Sequence, residues 1–431
     1  MSLPLRLAAL LVLATAAGAQ QTPIAFTGAH LIPVDGPEIE SGTLLVHEGK
    51  IVAIGASVAI PSGAERVDAS GKTIMPGLVD THSHAGQVEG ADRSAPMQAG
   101  VRTLDSINVR HSGIQKAQAG GITTANIMSG SGHLLSGQTT YVKYRDGKTI
   151  DELLLYNADG SVAGGIKMAN GTNSRRDPPF PGTRAKSAAI VREQFVKAQE
   201  YAAKIEAAGD DESKRPERDL GLEALGEVLV GKRVVHHHTH RHDDILTVLR
   251  LAEEFGFQVV LQHASDARFV AQEIAAAGVP ASILLLDSPG GKIEAKHVAF
   301  ETARALEDAG VLIGFHTDDS ITDSRLFLRQ GGLAIRAGMS RQGAIYGLTM
   351  AGARMLRLED RVGSLAPGKD ADFVILSGEP LSIYTQVLET WIDGERVFDR
   401  SDPADRLYAE GGWGASHDQT TAAHDLAGEG H

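Results

Sequence analysis

Hydrophobic and polar positions along the chain fall into two textures. From 22 to 74 the runs are short and alternating, IAFTGAHLIPVDG, GTLLVHEGKIVAIGA and AERVDASGKTIMPG, with turn residues between them. That period of two predicts small β-strands. The same texture returns only near the end, in VGSLAPGKDADFVILSGEPL and VLETWIDGERVF, so the two ends of the chain are expected to build one small sheet domain together. Between them, short apolar runs alternate with helix-length stretches. GLVDTH, GITTANIM, GGIKMA, RVVHHH, FQVVLQH, ASILLL and VLIGFH are bounded by glycine or polar loops, as buried parallel strands are. Helices are expected at 186–207, 244–255, 267–277 and 297–309. Repeated strand–helix units over this length predict an α/β fold, a (β/α)8 TIM-type barrel, over an open doubly wound sheet. No GxGxxG follows the first strand, which argues against dinucleotide binding.

The pattern divides the chain into an N-terminal leader (1–19), a first β segment (20–76), a central barrel (77–362), a second β segment (363–400) and a tail (401–431). The leader joins an arginine, an apolar run and the small-residue triplet Ala17-Gly18-Ala19, the order of a secretory signal. Export is therefore expected, with the mature protein periplasmic or secreted and no membrane attachment after cleavage. The tail loses periodicity and gains Gly, Ala, Asp and Ser, so it is expected to be loosely ordered.

Composition narrows the chemistry. A net charge of −13 argues against a nucleic-acid surface and favours a small-molecule partner, leaving homo-oligomerisation open. The 431-residue chain has no cysteine, so disulfides, thiolate ligands and cysteine nucleophiles are excluded together. Any metal must be held by histidine, carboxylate or a lysine-derived oxygen.

Polar residues ending apolar strands are functional candidates, because the C-terminal ends of barrel strands form the active face. GLVDTHSH ends in His82 and His84, whose two-residue spacing points both rings to one side of an extended segment. FQVVLQH ends in His263, and VLIGFHTDD ends in His316, Asp318 and Asp319; Lys167 interrupts the apolar GGIKMA. One histidine at a strand end is ordinarily a hydrogen-bonded loop residue. Metal-ligand types at four strands together point to a metal. Five histidines crowd VVHHHTHRHDD, 234–244. Alternation puts His236, His238 and His240 on one face, with His237 and His242 on the other or beyond the strand.

MPGLVDTHSH, the strand-end histidines His238 and His263, HTDD, and the closing VGSLAPGKDADFVIL resemble the amidohydrolase superfamily, and more narrowly its imidazolonepropionase-like branch. The resemblance implies a β-sandwich beside a metal-bearing barrel. It implies that His82 and His84 hold one metal, that His238 and His263 hold another, that a carboxylated Lys167 bridges them, and that Asp318 binds beside the attacking water. The implied cofactor is a divalent metal, zinc by ligand type, with two ions per chain if Lys167 is carboxylated. Two such ions would acidify a shared water, and Asp318 would serve as general base and then acid. His240 would reach substrate, His236 would lie deeper, His237 would face the helices, and Asp243 or Asp244 would cap the next helix. His133, Lys292 and His297 are candidates for gripping a substrate carboxylate, on loops 129–143 and 287–297. The reaction implied is hydrolysis of an amide bond in an N-acyl amino acid, dipeptide or cyclic amide. The alternative is a mononuclear cyclic-amide hydrolase or aminohydrolase in which Lys167 is structural. A binding protein with a degenerate site is disfavoured by the complete ligand set.

Overall fold

The computed structural model describes residues 22–86, 88, 92, 94–285, 292–319 and 321–411. The expected leader (1–19), part of the loop 287–297 and the tail beyond 411 lie outside the described residues. The first segment forms β1 (Ile24–Leu31), β2 (Ile39–His47), β3 (Lys50–Gly55), β4 (Glu65–Asp68) and β5 (Thr73–Pro76). The middle contributes β6 (Leu78–Ser83), β7 (Ile122–Ile127), β8 (Leu135–Gln138), β9 (Thr140–Lys143), β10 (Ile166–Ala169), β11 (Val235–Thr239), β12 (Val259–His263), β13 (Ala281–Ile283) and β14 (Ile313–Phe315). The last strands are β15 (Phe373–Leu376), β16 (Val387–Ile392) and β17 (Glu395–Asp399).

Strands from both ends share one eight-stranded sheet, joined where β15 pairs antiparallel with β5, Val374 opposite Met75. Its own core gathers Phe26, Leu31, Leu44, Ile74, Phe373 and Trp391. Phe26 meets the rings of Phe373 and Trp391 edge-on, at 5.1 Å each, an arrangement the aromatic quadrupole favours.

The middle strands behave differently: every residue of β10 to β14 is buried, so they lack the polar alternation of the end strands, and the polar residues they do carry, such as Lys167 and the histidines of β11, are enclosed. They run parallel, neighbour to neighbour, in chain order. β6 and β7 are also parallel. Between these groups the chain inserts β8, antiparallel to β10, and β9, antiparallel to β7, in the stretch expected to be a pocket-lining loop. The two sheets meet at both edges. Tyr141 N–H donates to the Ala163 carbonyl (3.0 Å), and beyond β14 Asp318 N–H donates to the His82 carbonyl (2.9 Å). Gly77, which leads into β6, is required by close approach, since a Cβ there would lie 2.2 Å from Thr123 Oγ1.

Helices pack against the central strands. The helix Arg184–Ala208 opens on Thr183, whose hydroxyl accepts from Lys186 N–H, and it buries Phe195 against Phe255 and Phe257, rings 5.1 and 5.0 Å apart. His242–Phe255 matches expectation within two residues. The stretch 267–277 breaks at Val270 into Ala267–Phe269 and Ala271–Ala276, and 297–309 shortens to Glu301–Asp308. At the start of the expected tail the structure differs, over 403–410 alone. Pro403–Glu410 is a helix, capped by Asp402 accepting from Ala404 N–H, and Tyr408 and Ala409 pack on the central core. An Asp-Pro start is a sound helix signal that the polar composition around it obscured.

Candidate metal centre

The polar ends of the inner strands converge. Register places Ala169 opposite His238 and Thr239 opposite His263, so β10, β11 and β12 deliver their polar ends at one level. His84 Nε2 lies 3.0 Å from Asp318 Oδ1, and His82 Nε2 lies 3.3 Å from the same oxygen. Lys167 Nζ, fully buried, lies 3.1 Å from His82 Nε2 and 3.1 Å from Met128 Sδ. Among the described residues no carboxylate comes within ion-pair distance of that amine. His263 Nδ1 lies 3.1 Å from His316 Nε2 and 3.8 Å from Asp318 Oδ2, and its ring centre is 4.5 Å from that of His238. His240 sits beside both, its Nδ1 sharing a 2.7 Å hydrogen bond with Ser265 Oγ.

The frame is rigid where it matters. Asp80, wholly buried, accepts from Thr317 Oγ1 (2.5 Å), Thr317 N–H (3.1 Å) and His82 N–H (3.2 Å), fixing the end of β6 to the segment carrying Asp318. His263 (φ 66°), Ala264 (φ 48°) and Asp318 (φ 50°) hold left-handed backbone without being glycine. Each costs on the order of 1 kcal/mol and persists because surrounding bonds over-determine it, a pattern concentrated at functional sites.

Burial sets the charge states. It holds the imidazoles of His82, His238 and His263 well below their usual range, reinforced by Lys167 at His82 and by neighbouring histidines at the other two. It takes His240 and His316 down to about 3. Neutral rings present lone pairs. Burial also lowers the Lys167 amine to about 7, partly opposed by Asp318. Burial pushes Asp318 up, but His82 and His84 outweigh it and keep the carboxyl well below its ordinary range. Asp319 is lifted to about 6 by burial and by Asp323.

These groups fit a divalent ion. His82, His84 and Asp318 form one set whose ligand atoms all lie within 4.8 Å of one another; His82, His263 and His316 form a second; His238, His240 and Glu294 form a third. Several facing atoms are buried without a hydrogen-bond partner, namely His240 Nε2, His263 Nε2 and Glu294 Oε1. Neutral imidazole with carboxylate is a donor set suited to zinc.

The remaining histidines separate cleanly. His236 lies deeper, between Tyr141 Oη (2.9 Å) and Gln262 (3.2 Å). His237 turns outward, its Nδ1 2.9 Å from the His238 carbonyl oxygen, and lines a lateral cavity of about 360 Å³ with Arg184 and Asp244. Lys292 Nζ donates to Asn173 Oδ1 (2.9 Å) and lies 3.4 Å from His238 Nε2. His297 instead pairs with Asp266 (2.9 Å), and His133 is buried with its ring 5.2 Å from that of Phe180. The capping expectation holds in part: Asp243 Oδ1 accepts the first-turn amide of Asp244 (3.1 Å), but the first amide of the helix, from His242, goes to Asp266 Oδ2 (3.2 Å), while Asp243 also pairs with Arg241 and Asp244 with Arg184. Two residues of the clusters that could hold a metal lay outside the expected ligand set. His316 was visible as a strand-end histidine, and its Nδ1 lies 2.8 Å from Ser282 Oγ. Glu294 gave no signal, being one acid in a polar loop.

A profile of the amidohydrolase family matches residues 180–398. The chain is 26% identical over 395 residues to amidohydrolase tasK of Hapsidospora irregularis, covering 83% of this chain but only 40% of that protein's length. It is 29% identical over 360 residues to imidazolonepropionase of Deinococcus radiodurans, covering 79% and 86%. Among solved structures it resembles an amidohydrolase from Thermotoga maritima MSB8, at 34% identity and a TM-score of 0.81, over 88% of this chain and all of that one.

Proposed function

The chain belongs to the amidohydrolase superfamily of hydrolases acting on carbon–nitrogen bonds, in its imidazolonepropionase-like branch, and from that premise we propose an exported, metal-dependent amide hydrolase. Its substrates are N-acyl amino acids, dipeptides or cyclic amides. The sheets close into the (β/α)8 barrel, and the end sheet is the accompanying sandwich. Cleavage after Ala19 leaves the mature protein in the periplasm or outside the cell; among the described residues no helix is long and apolar enough to cross a membrane.

One observation carries the reading: neutral imidazoles from β6, β11 and β12, a buried lysine from β10 and the carboxylate of Asp318 face one another at the strand ends. His82, His84, Lys167, His238, His263 and Asp318 would hold one or two divalent ions, zinc by ligand type. Such an ion, when bound, supplies Lewis acidity that lowers the pKa of water and polarises a carbonyl. Lys167, too buried to carry a lone positive charge, is placed to add CO₂ through its neutral amine, releasing a proton and leaving an anionic carbamate among the ligands. Asp318, kept ionised by His82 and His84, takes the proton of the attacking water and returns it to the leaving nitrogen. His240 presents its unpartnered Nε2 to the centre, within reach of substrate. An aminohydrolase is the second reading; it is favoured by a 25% identical relative, the 5-methylthioadenosine/S-adenosylhomocysteine deaminase of Symbiobacterium thermophilum.

The test is a panel of N-acyl amino acids, dipeptides, lactams and aminopurines, assayed with zinc-loaded and chelator-treated protein. Amide turnover lost on chelation and restored by zinc is expected, while ammonia release from aminopurines alone would move the assignment to the second reading. N-terminal sequencing of exported protein should begin at Gln20.

A further inference from the structure

The third ligand cluster contains a residue from outside the strand-end set. Glu294, in the short helical turn Ile293–Ala295, brings a carboxylate whose side chain is only 2% exposed beside His238 and His240. Its Oε2 accepts from Thr172 N–H (2.8 Å), and Arg184 approaches the same oxygen at 3.5 Å. Its Oε1 is buried with no hydrogen-bond partner. Gly171, at φ +78°, makes room for this carboxylate, since a Cβ there would lie 2.6 Å from Oε2. Across from it, the His240 Nδ1 hydrogen bond to Ser265 leaves Nε2 facing inward, also buried and unpartnered. A buried carboxylate oxygen and a buried ring nitrogen left unsatisfied side by side are costly unless a cation completes them.

A cation already leans on this position. The Lys292 ammonium lies 3.4 Å from His238 Nε2 and 3.7 Å from Glu294 Oε1, too long for good hydrogen bonds, while its firm contact is Asn173 Oδ1 at 2.9 Å. Its side chain is 30% exposed. Two neutral imidazoles and one carboxylate make a set known for zinc, and its charge of −1 suits a dication better than a monocation.

We propose that His240 and Glu294 join His238 as ligands of the second divalent ion, and that the ammonium of Lys292 competes with that ion for the same position. The proposal rests on the metal-dependent reading above. It moves His240 from substrate contact to ligand and adds an acid that the strand-end pattern does not contain.

The experiment titrates zinc into chelator-stripped full-length protein and into Glu294→Gln, His240→Ala and Lys292→Met variants, reading stoichiometry by elemental analysis and affinity by calorimetry. Cobalt substitution adds an absorption spectrum that reports ligand geometry. The expected result is that Glu294→Gln and His240→Ala each weaken the second ion at least tenfold and alter its cobalt bands, whereas Lys292→Met tightens it at least tenfold. A gain in affinity cannot arise from misfolding, so the Lys292 variant keeps the test decisive. Two ions bound with unchanged affinity and spectrum in all three variants would overturn the proposal and leave the metal-dependent reading intact. Wild-type protein that binds no zinc would instead overturn that reading.

Discussion

At the scale of single residues, neighbours in one strand have opposite fates. His237 and His238 are adjacent in β11, yet His238 faces the centre and His237 bonds its neighbour's carbonyl beside the lateral cavity. His238→Ala should lose metal and activity, whereas His237→Ala should keep both and cost about 1–2 kcal/mol of stability from a lost buried contact. Metal analysis with denaturant unfolding checks the pair, and equal metal loss in both variants would refute the assignment of faces. Lys167 is the second residue whose surroundings dictate chemistry. A buried amine with no carboxylate within ion-pair distance among the described residues needs a chemical change or neutrality. Native mass spectrometry should find the added mass of CO₂, and Lys167→Ala should lose most activity, with partial rescue by short carboxylates. An unmodified, fully active enzyme would exclude the carbamate.

At the scale of elements, the start of the helix His242–Phe255 is held from a distance. Its first residue donates its amide to Asp266, from the loop after β12, and Asp266 also lies 2.9 Å from His297 Nδ1. One carboxylate thus joins three segments beside the histidine-bearing strand ends. Asp266→Ala should cost about 1–2 kcal/mol, as lost caps do. Asp243→Ala, whose carboxylate pairs with the half-exposed Arg241 and accepts only the adjacent Asp244 amide, should cost less, about 0.5–1 kcal/mol. Chemical denaturation of the two variants tests this ranking, and the reverse order would show that the local acids cap the helix after all.

At the scale of the whole molecule, the end sheet and the central strands are locked by a buried cation. Lys143 at the end of β9, 0% exposed, lies 2.7 Å from Asp370, 3.0 Å from Asp372 and 2.5 Å from Asp393. Lys143→Met leaves Asp372 without an ion-pair partner among the described residues, while Asp370 keeps Lys50 and Arg361 and Asp393 keeps Arg145; breaking this buried pairing should cost about 3–5 kcal/mol. The pH dependence follows from the shifts. Burial works against the Lys143 charge but the three aspartates outweigh it and raise its pKa, so its contribution is complete below about 10.4 and is lost only in stronger alkali. Burial opposes ionisation of Asp370 and Asp393, yet Lys143 holds both below the ordinary range, so their contribution is present above about pH 4 and is lost on further acidification. Asp372, lifted to about 6 by burial, acts oppositely and weakens the fold as pH rises through that value. Wild-type stability should therefore fall more steeply below pH 4 than that of Lys143→Met. Urea midpoints measured from pH 7 to pH 3 decide this, and parallel curves would count against the cluster.

Local pattern was enough to reveal the alternating strands at both ends, the buried parallel runs and the histidines that end them, because burial on one face or on both leaves a period in the sequence. It also separated His237 from His238, since alternation is a property of the extended chain itself. Tertiary structure decided what depends on contacts between distant segments. The antiparallel insertion of β8 and β9 is set by which edges lie free, the cap by Asp266 by how a loop folds back, and the docking of Pro403–Glu410 by an apolar surface that exists only once the core has formed. Glu294 is the clearest case. Nothing around it in sequence marks it, and it approaches His238 and His240 only because the turn Ile293–Ala295 packs against the segment after β10, where Thr172 N–H donates to its carboxylate.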